Sequence, residues 1–395
     1  MMYHLDVWSR LAVEIKAGEM VCEITENGRA QGAFRYAPDF LARDDAFALD
    51  PVSLPLQPEN FTFGHPGIAR VFEDSLPDDW GKKLLIRKHK ISRQHENIPT
   101  LLIALGSSGL GALTYSVQGK PAPPPQDTST THLSELLNAV EKFERGETRD
   151  SEISMILSAG SSPGGARPKA LVYDEETGTH SIAKFSSIKD LVDVVRIEAA
   201  TMALASKAGL QVPCTRLSPC GNRSVLLVER FDIVPGGRRH MISLQTLLKA
   251  EGYYTCRYKD ILDVVRKFSA EPAMDSELLF RQMVFNAVVG NTDDHLKNFW
   301  MIYGAREGWR LSPAFDLVPD IGRRGEHVIL FDTGPYCPGR DTSKKLGRSW
   351  GVSNSDRIVD EVFAAVSGWA AEFETFGVQD NEIQQFKEID RNLVS

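Results

Sequence analysis

The chain has 395 residues, 42% of them hydrophobic and 25% charged, the composition of an ordinary folded protein with enough length for two domains or one two-lobed enzyme. Its 53 Asp and Glu residues outnumber 45 Lys and Arg to give a net charge of −8, which argues against nucleic-acid binding by the surface as a whole. Five cysteines without a Cys-x-x-Cys pair argue against a disulfide framework or a structural zinc site. No apolar run approaches about 18 residues and the start at Met1 lacks a basic segment followed by an apolar one, so a cytoplasmic protein with no membrane segment is expected.

The first third alternates short apolar runs with turns. Ser75 is expected to cap a helix whose first turn holds Pro77, Asp78 and Asp79 and whose later turns hold Lys82, Lys83, Arg87 and Lys88, matching charge to the helix dipole. A second helix over 101–105 should end at Gly106, before a strand over 112–117. Residues 119–130, Gly-Lys-Pro-Ala-Pro-Pro-Pro-Gln-Asp-Thr-Ser-Thr, read as an extended linker. Beyond it Leu133, Leu136, Leu137, Val140 and Phe143 share one helical face.

Residues 160–169 form a small, flexible stretch, Gly-Ser-Ser-Pro-Gly-Gly-Ala-Arg-Pro-Lys, whose Gly164 and Gly165 let backbone amides approach phosphate oxygens. Ala166 stands where a Walker A loop needs its lysine, so a P-loop NTPase is rejected. A strand over 170–173, a turn over 174–179 and a second strand over 180–185 carrying Lys184 follow, then a helix over 191–208 carrying Glu198. The apolar strand 225–228 runs into Glu229, Arg230, Phe231 and Asp232; on periodicity alone it is a buried strand ending in a turn, and it is placed where a kinase lobe hinge would expose backbone groups to adenine.

A helix over 283–289 leads into Asn291-Thr292-Asp293-Asp294-His295-Leu296-Lys297-Asn298. Five positions separate Asp293 from Asn298, too many for one helical turn, so a loop that turns both side chains toward one point is expected. A hairpin of 299–303 and 309–311 should return the chain and bring Asp316 beside Asn298. Two amphipathic segments, 356–373 and 382–393, close the chain.

Phosphoryl transfer asks a protein mainly to position groups and neutralise charge, and these residues are its parts. Asp293 would accept a substrate hydroxyl proton. Asn298 and Asp316 would offer oxygen ligands to Mg²⁺. Lys184 would reach the phosphates of ATP, with Glu198 orienting it, and His295 would brace the loop. Taken singly, each has a plainer reading as a turn, cap, edge-strand or solvated helix residue; their joint order along the chain favours the kinase reading.

The stretches 161–169, 228–232, 291–298 and 313–316, together with Phe72-Glu73-Asp74-Ser75-Leu76-Pro77-Asp78 and Gly109-Leu110-Gly111-Ala112-Leu113, resemble the HipA-like serine/threonine kinases, toxins of bacterial type II toxin-antitoxin modules. The resemblance implies an α+β, two-lobed protein-kinase-like fold with a small amino-terminal α/β subdomain packed on the lobes. Its parts would be 1–118 (amino-terminal subdomain), 119–130 (linker), 131–234 (N-lobe-like) and 235–395 (mainly helical catalytic lobe). It implies ATP and Mg²⁺ as cofactors, catalysis by Asp293, Asn298, Asp316 and Lys184, and adenine held by backbone at Glu229 and Phe231. It also implies autophosphorylation of a loop serine that switches off ATP binding; Ser161 aligns with that position, Ser162 competes with it and Ser158 is a weaker competitor.

The implied partners are a helix-turn-helix antitoxin of the HipB type, operator DNA reached through it, and a protein substrate of the aminoacyl-tRNA synthetase class whose phosphorylation arrests translation. The alternative is a catalytically weak or inactive kinase-fold binding protein acting as regulator or corepressor. A lipid or sugar kinase is a third, weaker option.

Overall fold

The computed structural model describes residues 1–121, 124, 128–158, 167–252, 256–322 and 324–395. The chain forms two compact units, neither continuous in sequence. One comprises Met1–Ile188, Glu229–Ile242 and Tyr303–Arg306; the other comprises Lys189–Val228, Ser243–Ile302 and Glu307–Ser395.

The first unit begins with an antiparallel five-stranded sheet in the order Phe61–Phe63, Ala30–Tyr36, Ile15–Ile24, Met2–Ser9 and Leu113–Val117. Alternate residues such as Leu5, Val7, Met20, Cys22, Phe34 and Tyr36 are buried, as the period of a half-covered sheet requires. The helix Ile98–Leu105 ends at Gly106, whose φ of 58° is one that glycine adopts readily. The helix Asp79–Lys88 is capped by Asp78, which accepts from the Gly81 N–H at 3.0 Å, and not by Ser75. Ser75 instead shares a hydrogen bond with the Tyr115 hydroxyl at 2.7 Å. The carboxylate at 78 is the side chain that reaches the free N–H groups of this helix's first turn.

Asp78 has a second partner. Lys169 Nζ lies 3.0 Å from its Oδ2, with the two side chains only 4% and 10% exposed. Lys169 opens the strand Lys169–Asp174, which pairs antiparallel with Thr179–Lys184 across the expected turn. On its other side it pairs in parallel with Thr128–Ser129, so the end of the stretch read as linker is a short strand. The helix Leu133–Arg145 buries Leu133, Leu136, Leu137 and Val140.

A buried polar clamp joins two of the sequence motifs in this unit. Asp232 accepts Arg230 at 2.7 and 3.0 Å and the Gly111 N–H at 2.8 Å. Arg238 donates to the carbonyls of Ser107, Gly109 and Gly111 at 3.4, 3.1 and 3.4 Å. Burial alone would raise the Asp232 pKa, but Arg230 and Arg238 outweigh it and hold the carboxyl below its ordinary value.

In the second unit Asp193 caps the helix Val194–Lys207, accepting from the Arg196 N–H at 3.1 Å. Val195 and Ala199 of that helix pack with Leu226 and Val228 against Leu217 and Phe376. The central helix Pro272–Val289 starts with proline at its first turn and is buried nearly all round over its last two turns. Asp275 on this helix is fully buried. It receives Arg310 at 2.9 and 3.1 Å, the Ser269 hydroxyl at 2.6 Å and the Leu311 N–H at 2.9 Å, tying the strand Gly308–Leu311 to the helix. Helices Gly339–Ser349, Ser355–Val366, Trp369–Thr375 and Glu388–Val394 complete the unit. No helix among the described residues is long and apolar enough to cross a membrane.

Candidate active site

The central helix ends at Gly290, which takes a left-handed φ of 69° and releases the chain into the loop 291–298. The loop closes on itself: the His295 N–H donates to the Asp293 carbonyl at 2.9 Å and the Asn298 N–H to the His295 carbonyl at 2.8 Å. Leu296–Asn298 forms a turn of 3₁₀-helix. The Asn298 side-chain amide donates to the Asp293 carbonyl at 3.0 Å, so the five-residue spacing folds Asn298 back onto the residue expected to be the base.

The two neighbouring aspartates face opposite ways. Asp293 is 65% exposed. Asp294 is fully buried and accepts from the Tyr258 hydroxyl at 2.5 Å and the N–H groups of Val328 and Ile329 at 3.0 and 3.3 Å. His327 Nδ1 lies 2.9 Å from the same carboxylate. Behind it, Asn286 donates to the Tyr258 hydroxyl at 3.1 Å and Asn291 donates to Asn286 at 3.1 Å. Burial and the Asp294 charge push the Tyr258 pKa well above its ordinary value, so the phenol stays a donor. The network anchors the loop from below while Asp293 stands in solvent above. Sequence inspection passed over Asp294, since nothing in the pair Asp293-Asp294 says which one points inward.

Past Asn298 the strands Trp300–Gly304 and Gly308–Leu311 form the expected hairpin. The Ser312 N–H donates to the Trp300 carbonyl at 2.9 Å, returning the chain to a point two residues beyond Asn298. Four residues later Asp316 takes a φ of +57°, a left-handed conformation that costs a non-glycine residue about 1–2 kcal/mol. The chain then crosses back under the loop, with Asp320 N–H donating to the Gly290 carbonyl at 2.8 Å and Val328 N–H to the Thr292 carbonyl at 3.2 Å.

Whether Asn298 and Asp316 suit a magnesium ion is tested by their own atoms. The Asn298 carboxamide oxygen is buried, and it has no hydrogen-bond partner among the described residues. Leaving such an acceptor unmatched is costly, so this oxygen fits a ligand that is a cation. No group of three His, Cys, Asp or Glu side chains among the described residues could hold a metal alone. A two-ligand site that shares its ion with nucleotide phosphates is the usual arrangement for magnesium.

The remaining expected site residues are spread over both units. Lys184 ends the strand Thr179–Lys184 in the first unit, half-buried; Glu198 is 5% exposed on the helix Val194–Lys207 in the second. Glu229 is exposed at the end of its strand, and the Phe231 carbonyl accepts from Arg239 at 3.1 Å. Ser161, Ser162, Gly164 and Gly165 lie outside the described residues, as does Gly160; for Ser158 the helix assignment is all that is described. The strand that follows that stretch begins at Lys169, held by Asp78.

A mixed helix-and-sheet fold carries an Asp-x-x-x-x-Asn loop with a following Asp. A model of the HipA-like C-terminal domain matches residues 161–369, more than half of the chain, and one of the HipA N-terminal domain matches residues 12–116. The chain belongs to the HipA family. Two relatives from Sinorhizobium fredii carry the names "Putative kinase Y4mE" and "Putative kinase Y4dM". The first is 27% identical over 353 residues, 79% of this chain and 80% of its own; the second is 26% identical over 286 residues, 69% of this chain and 64% of its own. Among solved structures, HipA of Shewanella oneidensis MR-1, in a complex of HipA, HipB and operator DNA, superposes with a TM-score of 0.69. It is 18% identical, with 99% of this chain and 96% of that chain covered, and shows that the fold is shared.

Proposed function

We propose that the chain is an ATP- and Mg²⁺-dependent serine/threonine protein kinase of the toxin type. The observation that carries this reading is the loop 291–298. It is anchored through buried Asp294, presents Asp293 to solvent, and leaves the Asn298 carboxamide oxygen buried without a hydrogen-bond partner among the described residues. When bound, the magnesium ion supplies charge neutralisation of the phosphates, with Asn298 and Asp316 as its protein ligands. Asp293 accepts the proton of the substrate hydroxyl, Lys184 contacts the phosphates with Glu198 orienting it, and the backbone at Glu229 and Phe231 meets adenine. His295 links Asp293 to Asn298 through its main chain.

Autophosphorylation of Ser161 or Ser162 would place about −1.5 to −2 charge where ATP phosphates bind and so turn the enzyme off. Resemblance to the family favours a protein of the aminoacyl-tRNA synthetase class as the substrate, in the cytoplasm. The Shewanella complex favours an antitoxin of the HipB kind as partner, with operator DNA reached through it. The test is transfer of labelled γ-phosphate from ATP to proteins of a bacterial lysate, run with and without magnesium. Labelling that requires magnesium and is lost in Asp316→Asn supports the proposal; no magnesium-dependent labelling above the Asp316→Asn background contradicts it.

A further inference from the structure

The proposed base Asp293 has one side-chain partner among the described residues. Arg324 Nη1 donates to Asp293 Oδ1 at 3.0 Å, while Oδ2 has no partner there. Arg324 lies on the segment that follows Asp316, and the backbone around it is fixed on both sides to the loop that carries Asp293. On one side, Asp320 is tied to the Gly290 carbonyl by its N–H at 2.8 Å. The Asp320 carboxylate collects the N–H groups of Gly322 at 2.8 Å, Gly325 at 3.2 Å and Arg324 itself. On the other side, His327 meets Asp294 and Val328 meets Thr292. An arginine on a loose surface turn would lose much of the value of an ion pair to side-chain entropy. Here the N–H groups of Gly322, Arg324 and Gly325 are held by the Asp320 carboxylate, and Gly325 takes a φ of 71°.

We propose that Arg324 is a positioning residue for phosphoryl transfer, holding the Asp293 carboxylate in one rotamer with Oδ2 turned to the acceptor. The proposal rests on the reading of the chain as a kinase. In the step concerned, the acceptor hydroxyl gives its proton to Asp293 Oδ2 while its oxygen bonds to the γ-phosphorus of ATP. The bond from that phosphorus to the bridging oxygen breaks, and its electron pair leaves with ADP. A carboxylate that is 65% exposed and unheld would spend much of its time in other rotamers; a guanidinium bound through Oδ1 alone limits them and leaves Oδ2 open.

The test compares wild-type protein with Arg324→Ala and Arg324→Lys in steady-state phosphate transfer from Mg-ATP, with Asp293→Ala as the blank. The expected result is a kcat about fivefold lower in Arg324→Ala, the upper range for an exposed ion pair, with KM for ATP within about twofold and the thermal midpoint unchanged. Arg324→Lys should recover part of the rate. The gap between wild type and Arg324→Ala should narrow as salt rises from about 0.05 to about 0.5 M, because the pair is screened.

Three results would overturn the proposal: an Arg324→Ala rate equal to wild type; a faster one, which would make Arg324 a plug on the base; or a loss of rate that tracks a lowered thermal midpoint. If wild type transfers no more phosphate than Asp293→Ala, the kinase reading falls and this inference with it, an outcome distinct from the other three.

Discussion

Tyr258 donates its hydroxyl to the Asp294 carboxylate at 2.5 Å, with both side chains buried. Through this contact the helix Tyr258–Phe268 carries the loop that presents Asp293. A hydrogen bond to a charged acceptor contributes about 1.5–3 kcal/mol, and its loss here would also leave the Asn286 amide without its acceptor. Tyr258→Phe is expected to lower unfolding free energy by about 2 kcal/mol in urea titrations. Asp294→Asn, which sets an amide donor among the donors of Tyr258, Val328 and Ile329, should cost at least as much and reduce phosphate transfer strongly.

The ion pair Asp78–Lys169 joins the cap of the helix Asp79–Lys88 to the first residue of the strand Lys169–Asp174. Removing one member of a buried pair leaves an uncompensated charge and costs about 3–5 kcal/mol. Asp78→Ala and Lys169→Met should each destabilise by that order. The double variant should lose clearly less than the sum of the two. Additive losses in a double-mutant cycle would show that the pair is not coupled.

How far the sequence could be read depended on whether a feature is local. The Asp293–Asn298 spacing, the hairpin after it and the glycine end of the helix at Gly106 were visible because turns and caps depend on neighbouring residues. The cap at Asp78 was missed by three positions, since Ser75, Asp78 and Asp79 all have the chemistry of a cap and only the helix geometry selects one. Thr128–Ser129 looked like linker because its strand character comes from a partner more than forty residues away, at Val172 and Tyr173. The contact of Arg324 with Asp293 comes from a segment folding back over 31 positions, which no local pattern announces. The division into two units that each gather distant stretches is likewise a tertiary property.

Asp316 offers a test that separates backbone strain from chemistry. At a φ of +57° glycine carries no steric penalty while alanine does. Asp316→Gly is therefore expected to be more stable than Asp316→Ala by about 1 kcal/mol, with phosphate transfer lost in both. Equal stabilities in denaturant titrations would mean that the left-handed conformation is not retained.

His240 is buried, with Nε2 2.8 Å from the Leu49 carbonyl. Burial lowers its pKa from 6.5 to about 4, against a smaller opposite effect of that hydrogen bond. The unfolded chain takes up a proton below pH about 6.5, whereas the folded one does not until about pH 4. Stability should therefore fall as the pH drops through that window, by about 3 kcal/mol in total from this group, and level off below it. His240→Gln should remove this component, measured as the difference between the two proteins' unfolding free energies over pH 7 to 4.

The central claim is that Asp293 serves phosphate transfer, and intact-mass spectrometry of the purified protein with and without Mg-ATP tests it most directly, beside Asp293→Ala. The expected result is a mass gain of one phosphate in the wild type, located by peptide mapping to Ser161 or Ser162 and absent from Asp293→Ala. An equal gain in both proteins, or none in the wild type together with no labelling of lysate proteins, would contradict the claim.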